Sequence, residues 1–294
     1  MSNSDSFRQA TKRILDNYES IGAVQEALRK HSVEGVNLII GIDCTGSNTM
    51  HNIFGGKSLH YIDPTFNYPP PPSYNASSSD GISSGYSQHF AYMNPYQKVI
   101  SIICRTLGSF DEDGLIPVYG FGDMITKDSC IFNFKDRQCG SSTISADAPC
   151  HGMEDVLDTY TNVIPLVKLS GPTSFAPLIN HVTKLLKKSK QYNILLIIAD
   201  GQINDNGDTV KAIKKASKDA PLSIVTIGVG DGPWETMEKY DDTIKGRKFD
   251  NFQFVNFNSI EARYPSNLDV AFSIAALQEI PIQYEYLRNK KRIK

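Results

Sequence analysis

The chain has 294 residues, 40% of them hydrophobic and 21% charged, with a formal net charge of −2. That length can bury one large core, and no evident linker cuts it in two. The near-neutral balance excludes a dedicated nucleic-acid binder, which carries a basic excess, and no apolar run approaches the ~20 residues that cross a bilayer. The opening MSNSDSFRQATKR is polar, so no signal peptide is expected, and Ser2 excludes N-myristoylation. Five scattered cysteines (Cys44, Cys104, Cys130, Cys139 and Cys150) then read as free thiols in a reducing compartment, and a soluble cytoplasmic protein is expected. In that setting the Asn75-Ala76-Ser77 sequon carries no weight.

Taken in chain order, residues 1–32 read as a lead-in segment whose Phe7, Ile14, Ile21, Val24 and Leu28 recur at mostly helical spacing. VNLIIGID (36–43) follows as a strand, apolar almost throughout and closed by an aspartate. Residues 61–94 break the rhythm: they are rich in Pro, Ser, Tyr and Gly, with four prolines at 69–72, and read as a flexible insertion. Pro95 to Phe110 carries Val99, Ile100, Ile103 and Leu107 at helical spacing, and LIPVYGFG (115–122) is the next strand. The acidic turn Asp111-Glu112-Asp113 before it reads as a solvated loop or cap.

Ser174 to Lys190 and Thr209 to Lys218 are helical patterns that alternate with the strands NILLIIAD (193–200), LSIVTIGVG (222–230) and FQFVNF (252–257). The stretch from Asn267 begins as a helix that Pro281 ends or kinks. Residues 288–294, with Lys290, Lys291, Arg292 and Lys294, read as a solvated basic tail, with an acidic membrane surface as a weak second reading. Apolar runs without alternation are strands covered on both faces. Alternation of such strands with helices predicts a doubly wound α/β fold with a mostly parallel sheet.

In such a sheet, ligands bind outside the carboxyl ends of the strands. Three features converge there. Asp43-Cys44-Thr45-Gly46-Ser47 follows the first strand, with a carboxylate and two hydroxyls alternating. Thr173 sits just before a helix on a loop containing Gly171 and Pro172, and Asp200-Gly201 closes NILLIIA. Each alone has a plain structural reading, as a helix cap or a turn. Together they form a hard, all-oxygen site of two carboxylates and three hydroxyls, suited to Mg²⁺ or Mn²⁺ rather than zinc, with room for an acidic group from outside.

This set of Asp43, Thr45, Ser47, Thr173 and Asp200 resembles the metal-ion-dependent adhesion site of von Willebrand factor A domains. The stretches GIDCTGSN, NPYQKVISII, GSFDEDGLIPVYGFGD, CHGMEDVLDTY, LSGPTSFAPLI, IIADGQI and AALQEIPIQY resemble the copine branch in particular. The match covers residues 33–287 apart from the insertion, and is nearest the copine module of plant ubiquitin ligases that carry a RING finger. The resemblance implies that Thr45, Ser47 and Thr173 ligate an ion directly, with Asp43 and Asp200 acting largely through water. Thr45 stands where many relatives carry serine. Mg²⁺ is the implied ion, with Mn²⁺ or Ca²⁺ as substitutes, and the implied partner is a protein presenting Asp or Glu.

A RING finger needs about eight Cys and His ligands. Only His151 and His181 follow Cys150 as candidate ligands, so this module is not expected to be a ligase by itself. The reading favoured is a non-enzymatic, metal-dependent protein-binding module; the alternatives are a substrate-recruiting accessory subunit of a ubiquitin ligase, or a metal-dependent phosphoryl-transfer or hydrolytic enzyme. For the enzyme there is no P-loop, and Gly228-x-Gly230-x-Gly232 has the wrong spacing for a dinucleotide fingerprint. His60 and His151 are the candidate bases, each with a structural or surface reading beside it. Cys139, Cys150 and His151 fit no zinc signature.

Overall fold

The computed structural model describes residues 20–50, 55–64, 93–139, 148–201, 203–205 and 207–294. Helix α1 (Ile21–Lys30) is capped by Ser20, whose hydroxyl accepts from the Ala23 amide. Strand β1 (Val36–Asp43) leads to the candidate site. Then come α2 (Pro95–Leu107), β2 (Leu115–Phe121), β3 (Phe132–Asn133), α3 (Phe134–Cys139), β4 (Pro149–His151), α4 (Gly152–Val163), α5 (Ala176–Leu185) and β5 (Tyr192–Ala199). The chain closes with α6 (Asp208–Asp219), β6 (Leu222–Gly228), α7 (Glu235–Thr243), β7 (Phe252–Asn256), α8 (Phe257–Arg263), α9 (Leu268–Leu277) and α10 (Ile280–Asn289).

The seven-stranded sheet has the order β3-β2-β1-β5-β6-β7, with β4 also paired to β2. The five long strands β2, β1, β5, β6 and β7 are parallel, and only β3 and β4 run antiparallel. Side chains alternate across the sheet, which explains why the strand sequences lack alternation. Leu38, Ile40 and Ile42 of β1, with Ile194, Leu196 and Ile198 of β5, face the core built on α2, α4, α9 and α10. Ile39, Leu195 and Ile197 face the other core, beneath α5 and α6. Gly41 is the small position in β1. A Cβ there would lie 2.2 Å from Leu178 Cδ2, so its absence lets α5 pack close to the strand. The doubly wound, mostly parallel α/β fold expected from the sequence is the fold observed.

Asn94 begins α2 with a capping box, exchanging side-chain and backbone hydrogen bonds with Gln97. Val24 of α1 packs against Val270 and Ile274 of α9, and Gln25 caps the end of α2 by donating to the Arg105 and Thr106 carbonyls at 3.1 Å each. Pro281 falls in the first turn of α10, so it opens a second helix after α9. Phe7 and Ile14 lie outside the described residues, as does most of the 61–94 insertion. At the ends of that insertion, Met93 and Asn94 are buried and Ile62 packs on the core. Asp111 accepts from the Gly114 amide and Asp113 from the Leu115 amide, which makes the acidic turn a cap for β2.

The basic tail is a correction. It docks on the domain instead of being wholly solvated, because one apolar residue within it finds the core. Ile293 is buried, Arg292 donates to the Ser217 carbonyl at 2.7 Å, and the Lys294 amide donates to the Lys190 carbonyl at 3.0 Å. Ile293→Ala is therefore expected to lower the free energy of unfolding by about 2 kcal/mol. Urea denaturation checks this, and an unchanged midpoint would mean that the docked tail contributes nothing.

Candidate metal-binding site

The site stands at the carboxyl edge of the sheet because β1 and β5 end there side by side, with Ile42 opposite Ile198. Asp43 is the last residue of β1, Asp200 follows β5 directly, and both are fully buried. Asp43 Oδ1 accepts from the Thr45 amide at 2.9 Å, which turns the chain sharply after the strand. Thr45 and Ser47 share a hydroxyl–hydroxyl hydrogen bond of 2.9 Å, and Ser47 donates to Asp200 Oδ1 at 3.0 Å. Four of the five residues picked out in the sequence thus form one connected group.

Thr173 reaches the same edge through its loop. Thr45 forms a β-bridge with Ser170, and the Ser170 amide donates to the Cys44 carbonyl at 3.3 Å. The Thr173 carbonyl accepts from Asn204 at 2.9 Å, and Ser174 Oγ donates to Asp205 at 3.0 Å. The Thr173 loop is therefore pinned between the turn after β1 and the turn after β5. Thr45 also needs a glycine neighbour. Gly122 has φ +80°, and a Cβ there would stand 2.3 Å from Thr45 Cγ2.

Beneath the acids lies a polar buttress that sequence reasoning did not assemble. The Asp43 carbonyl, which can only accept, lies 2.8 Å from His60 Nε2, so that nitrogen carries the proton. His60 Nδ1 then accepts from the Tyr160 hydroxyl at 2.8 Å, and Asn94 Nδ2 donates to that hydroxyl at 3.2 Å. Asn48 Nδ2 donates to the Asp43 and Thr45 carbonyls, while Tyr96 donates to Asn48 Oδ1 at 2.8 Å. Burial lowers the His60 pKa to about 4, so the ring is neutral at physiological pH. Both its nitrogens are engaged in holding the backbone. His151, the other candidate base, pairs with Leu115 at the start of β2, at the opposite end of the sheet.

The donor set fits a hard divalent cation. Burial, and then the charge of Asp200, push the Asp43 carboxyl well above the usual carboxylate range. Its Oδ2 is buried and has no hydrogen-bond partner. An unpartnered carboxylate oxygen beside a second buried carboxylate is the kind of acceptor that an ion satisfies and water does not reach. Among the described residues no group of three or more His, Cys, Asp or Glu side chains is placed to hold a metal, so an ion at this edge would depend on hydroxyl oxygens beside the two carboxylates.

Asp123 is a further acid at this edge. It lies two residues beyond the end of β2, as Asp43 closes β1 and Asp200 comes directly after β5, and the aspartate ending of GFGD was the signal available in the sequence. Its carboxylate accepts from the Thr126 amide at 2.9 Å and from Arg137 at 2.8 Å, and residue 123 forms a β-bridge with Leu169. These partners hold it on the loop that carries Thr173.

The Copine family model matches residues 87–294. The chain belongs to the copine family. It is 44% identical to the E3 ubiquitin-protein ligase RGLG5 of Arabidopsis thaliana over 93% of this chain and 58% of that protein. It is 40% identical to Copine family protein 2 of Caenorhabditis elegans, over 93% of this chain and 3% of the relative. The chain thus spans little more than half of the first relative and a small part of the second. Among solved structures, a von Willebrand factor type A protein from Catenulispora acidiphila is similar over 82% of this chain and 41% of its own, at 12% identity and a TM-score of 0.44.

The Asp123 ion pair sets a pH dependence. Burial alone would raise this carboxyl, but hydrogen bonds from Thr126 and the Arg137 charge outweigh it and hold the pKa below the usual range. A depressed folded-state pKa contributes stability that is present above the unfolded value of about 3.9 and is lost as pH falls through the folded value. Asp123→Asn should cost about 2 kcal/mol at neutral pH, and its deficit relative to the wild type should shrink as pH falls below about 4. Denaturant titrations across that range test this. A deficit independent of pH would assign the loss to packing rather than charge.

Proposed function

We propose that this copine chain is a non-enzymatic, metal-dependent protein-binding module. The observation that carries the reading is the buried, unpartnered Asp43 Oδ2 beside Asp200, at the end of a hydroxyl chain running through Ser47 and Thr45. Thr45, Ser47 and Thr173 would hold a Mg²⁺-type ion, with Mn²⁺ or Ca²⁺ as substitutes, and Asp43 and Asp200 would stand behind it. Bound there, the ion would supply positive charge and an open coordination position for an Asp or Glu of the partner. Chain residues do the positioning: His60, Asn48 and Tyr96 fix the backbone of the first acid, while Asn204 and Asp205 fix the threonine loop. The histidines support the binding reading, because His60 is locked in the buttress and His151 stands at the far end of the sheet.

Recruitment of substrates to a ubiquitin ligase is the more specific form of this role. It is favoured by 44% identity to a relative named as a ligase, of which this chain spans 58%. Either form predicts the same ion chemistry. Calorimetric titration of metal-stripped protein with Mg²⁺ and Mn²⁺ should show saturable one-site binding that Asp43→Ala and Thr173→Ala abolish without unfolding the chain. Binding that survives in both variants would place the ion elsewhere.

A further inference from the structure

At the amino edge of the sheet, opposite the acids, charge is segregated. Under β5, β6 and β7 exposed lysines come together from separate segments. Lys187, Lys188 and Lys190 stand in the loop between α5 and β5, Lys218 ends α6, Lys248 lies ahead of β7, and Lys290, Lys291 and Lys294 belong to the tail. Hydrogen bonds fasten these segments to one another. The Lys294 amide donates to the Lys190 carbonyl at 3.0 Å, and Lys190 Nζ donates to the Lys291 carbonyl at 3.4 Å. Ser217 takes Arg292 on its carbonyl at 2.7 Å and the Lys248 amide on its hydroxyl at 3.0 Å. Buried Ile293 anchors the tail in this place.

The acids of this corner are already answered. Asp250 pairs with Arg247, and Asp219 lies near enough to Arg292 to favour its charge. Glu285 is exposed farther up α10. Glu34 and the 111–113 turn stand under β1 and β2, where Arg29, lying over the Phe110 ring, offsets part of their charge. None of the lysines named has an ion-pair partner among the described residues. In a chain whose net charge is −2, such a concentration of ammonium groups attracts an external anion.

The chemistry of the corner selects the kind of anion. Lysines are hydrated point charges, not the planar forks that grip single phosphates, and they suit a diffuse negative surface. The nearby rings of Phe249 and Tyr286 stack on each other at 5.1 Å instead of being presented to nucleic-acid bases. Leu185, 45% exposed in the last turn of α5, adds an apolar side chain beside the loop lysines, an arrangement that suits the boundary between headgroups and acyl chains.

We infer that this corner docks the domain on an anionic phospholipid bilayer. The lysines meet the headgroups and Leu185 enters the boundary beneath them. The carboxyl edge with its acids then faces away from the lipid, on the order of 25 Å off at the far end of β5. This contact needs no divalent ion, so it stands apart from the reading above.

The test is sedimentation of the full chain, in EDTA, with vesicles of phosphatidylcholine alone or with about one third phosphatidylserine. Binding should require phosphatidylserine and weaken as salt screens the charges. Lys187→Gln/Lys188→Gln/Lys294→Gln should lower the partition coefficient by about a hundredfold. Lys127→Gln/Lys168→Gln/Lys239→Gln, the same change of net charge at other exposed positions, should leave it nearly unchanged. Leu185→Ser should weaken binding severalfold. Absence of binding, binding to phosphatidylcholine alone, or equal losses in the two triple variants would overturn the inference. Soluble polyphosphate or RNA that displaces the chain from vesicles at equal charge concentration would reassign the corner to a soluble polyanion and also overturn it.

Discussion

Two carboxylates held at the ends of neighbouring parallel strands, away from water, are the constraint on which the rest of this edge depends. Asp43 and Asp200 are both fully buried, and Ser47 donates to one while its hydroxyl partner Thr45 gives its amide to the other. Like charges so placed oppose folding by an amount on the order of a few kcal/mol, unless a proton or a cation intervenes. The chain keeps this arrangement by stiffening what surrounds it. The carbonyl of Asp43 receives His60 and Asn48 from loops that would otherwise be free to turn away. A protein under no demand at this edge would gain stability by giving up one acid.

The same edge is assembled from segments far apart in the chain. The turn after β1, the loop bearing Thr173 and the turn after β5 are joined by backbone bonds, so the hydroxyls and acids cannot drift independently. Asp123 and Arg137 lock the loop after β2 to the same assembly. Pre-organisation of this kind lowers the entropic cost of capturing a ligand. The sheet makes it feasible, because it delivers three strand ends to one line.

Much of this was legible in the sequence. β1 covers the residues of VNLIIGID, and the other long strands end within two residues of their expected bounds, because strands covered on both faces must be apolar at every position. Asp43, Thr45, Ser47 and Asp200 could be picked out together because they stand at or just beyond the ends of β1 and β5, whose apolar runs end visibly in the sequence. The buttress could not: His60, Asn94 and Tyr160 meet across a hundred residues, and nothing local marks their partnership. Helix α7 escaped notice because few of its side chains are apolar; Met237 is its buried anchor. The tail misled for the opposite reason. Four cations dominate its composition, while a single isoleucine decides where it lies.

The central claim is that the buried acids are destabilising by themselves and are stabilised by an ion. Chemical denaturation of wild type and Asp43→Asn, each with and without Mg²⁺, tests it most directly, since asparagine can still accept from the Thr45 amide. The account predicts opposite signs: without metal the variant is more stable by about 1–3 kcal/mol, whereas Mg²⁺ at a hundredfold excess over its Kd adds about 3 kcal/mol to the wild type only. A metal-free variant less stable than the wild type, together with a Mg²⁺ gain that persists after the substitution, would contradict it.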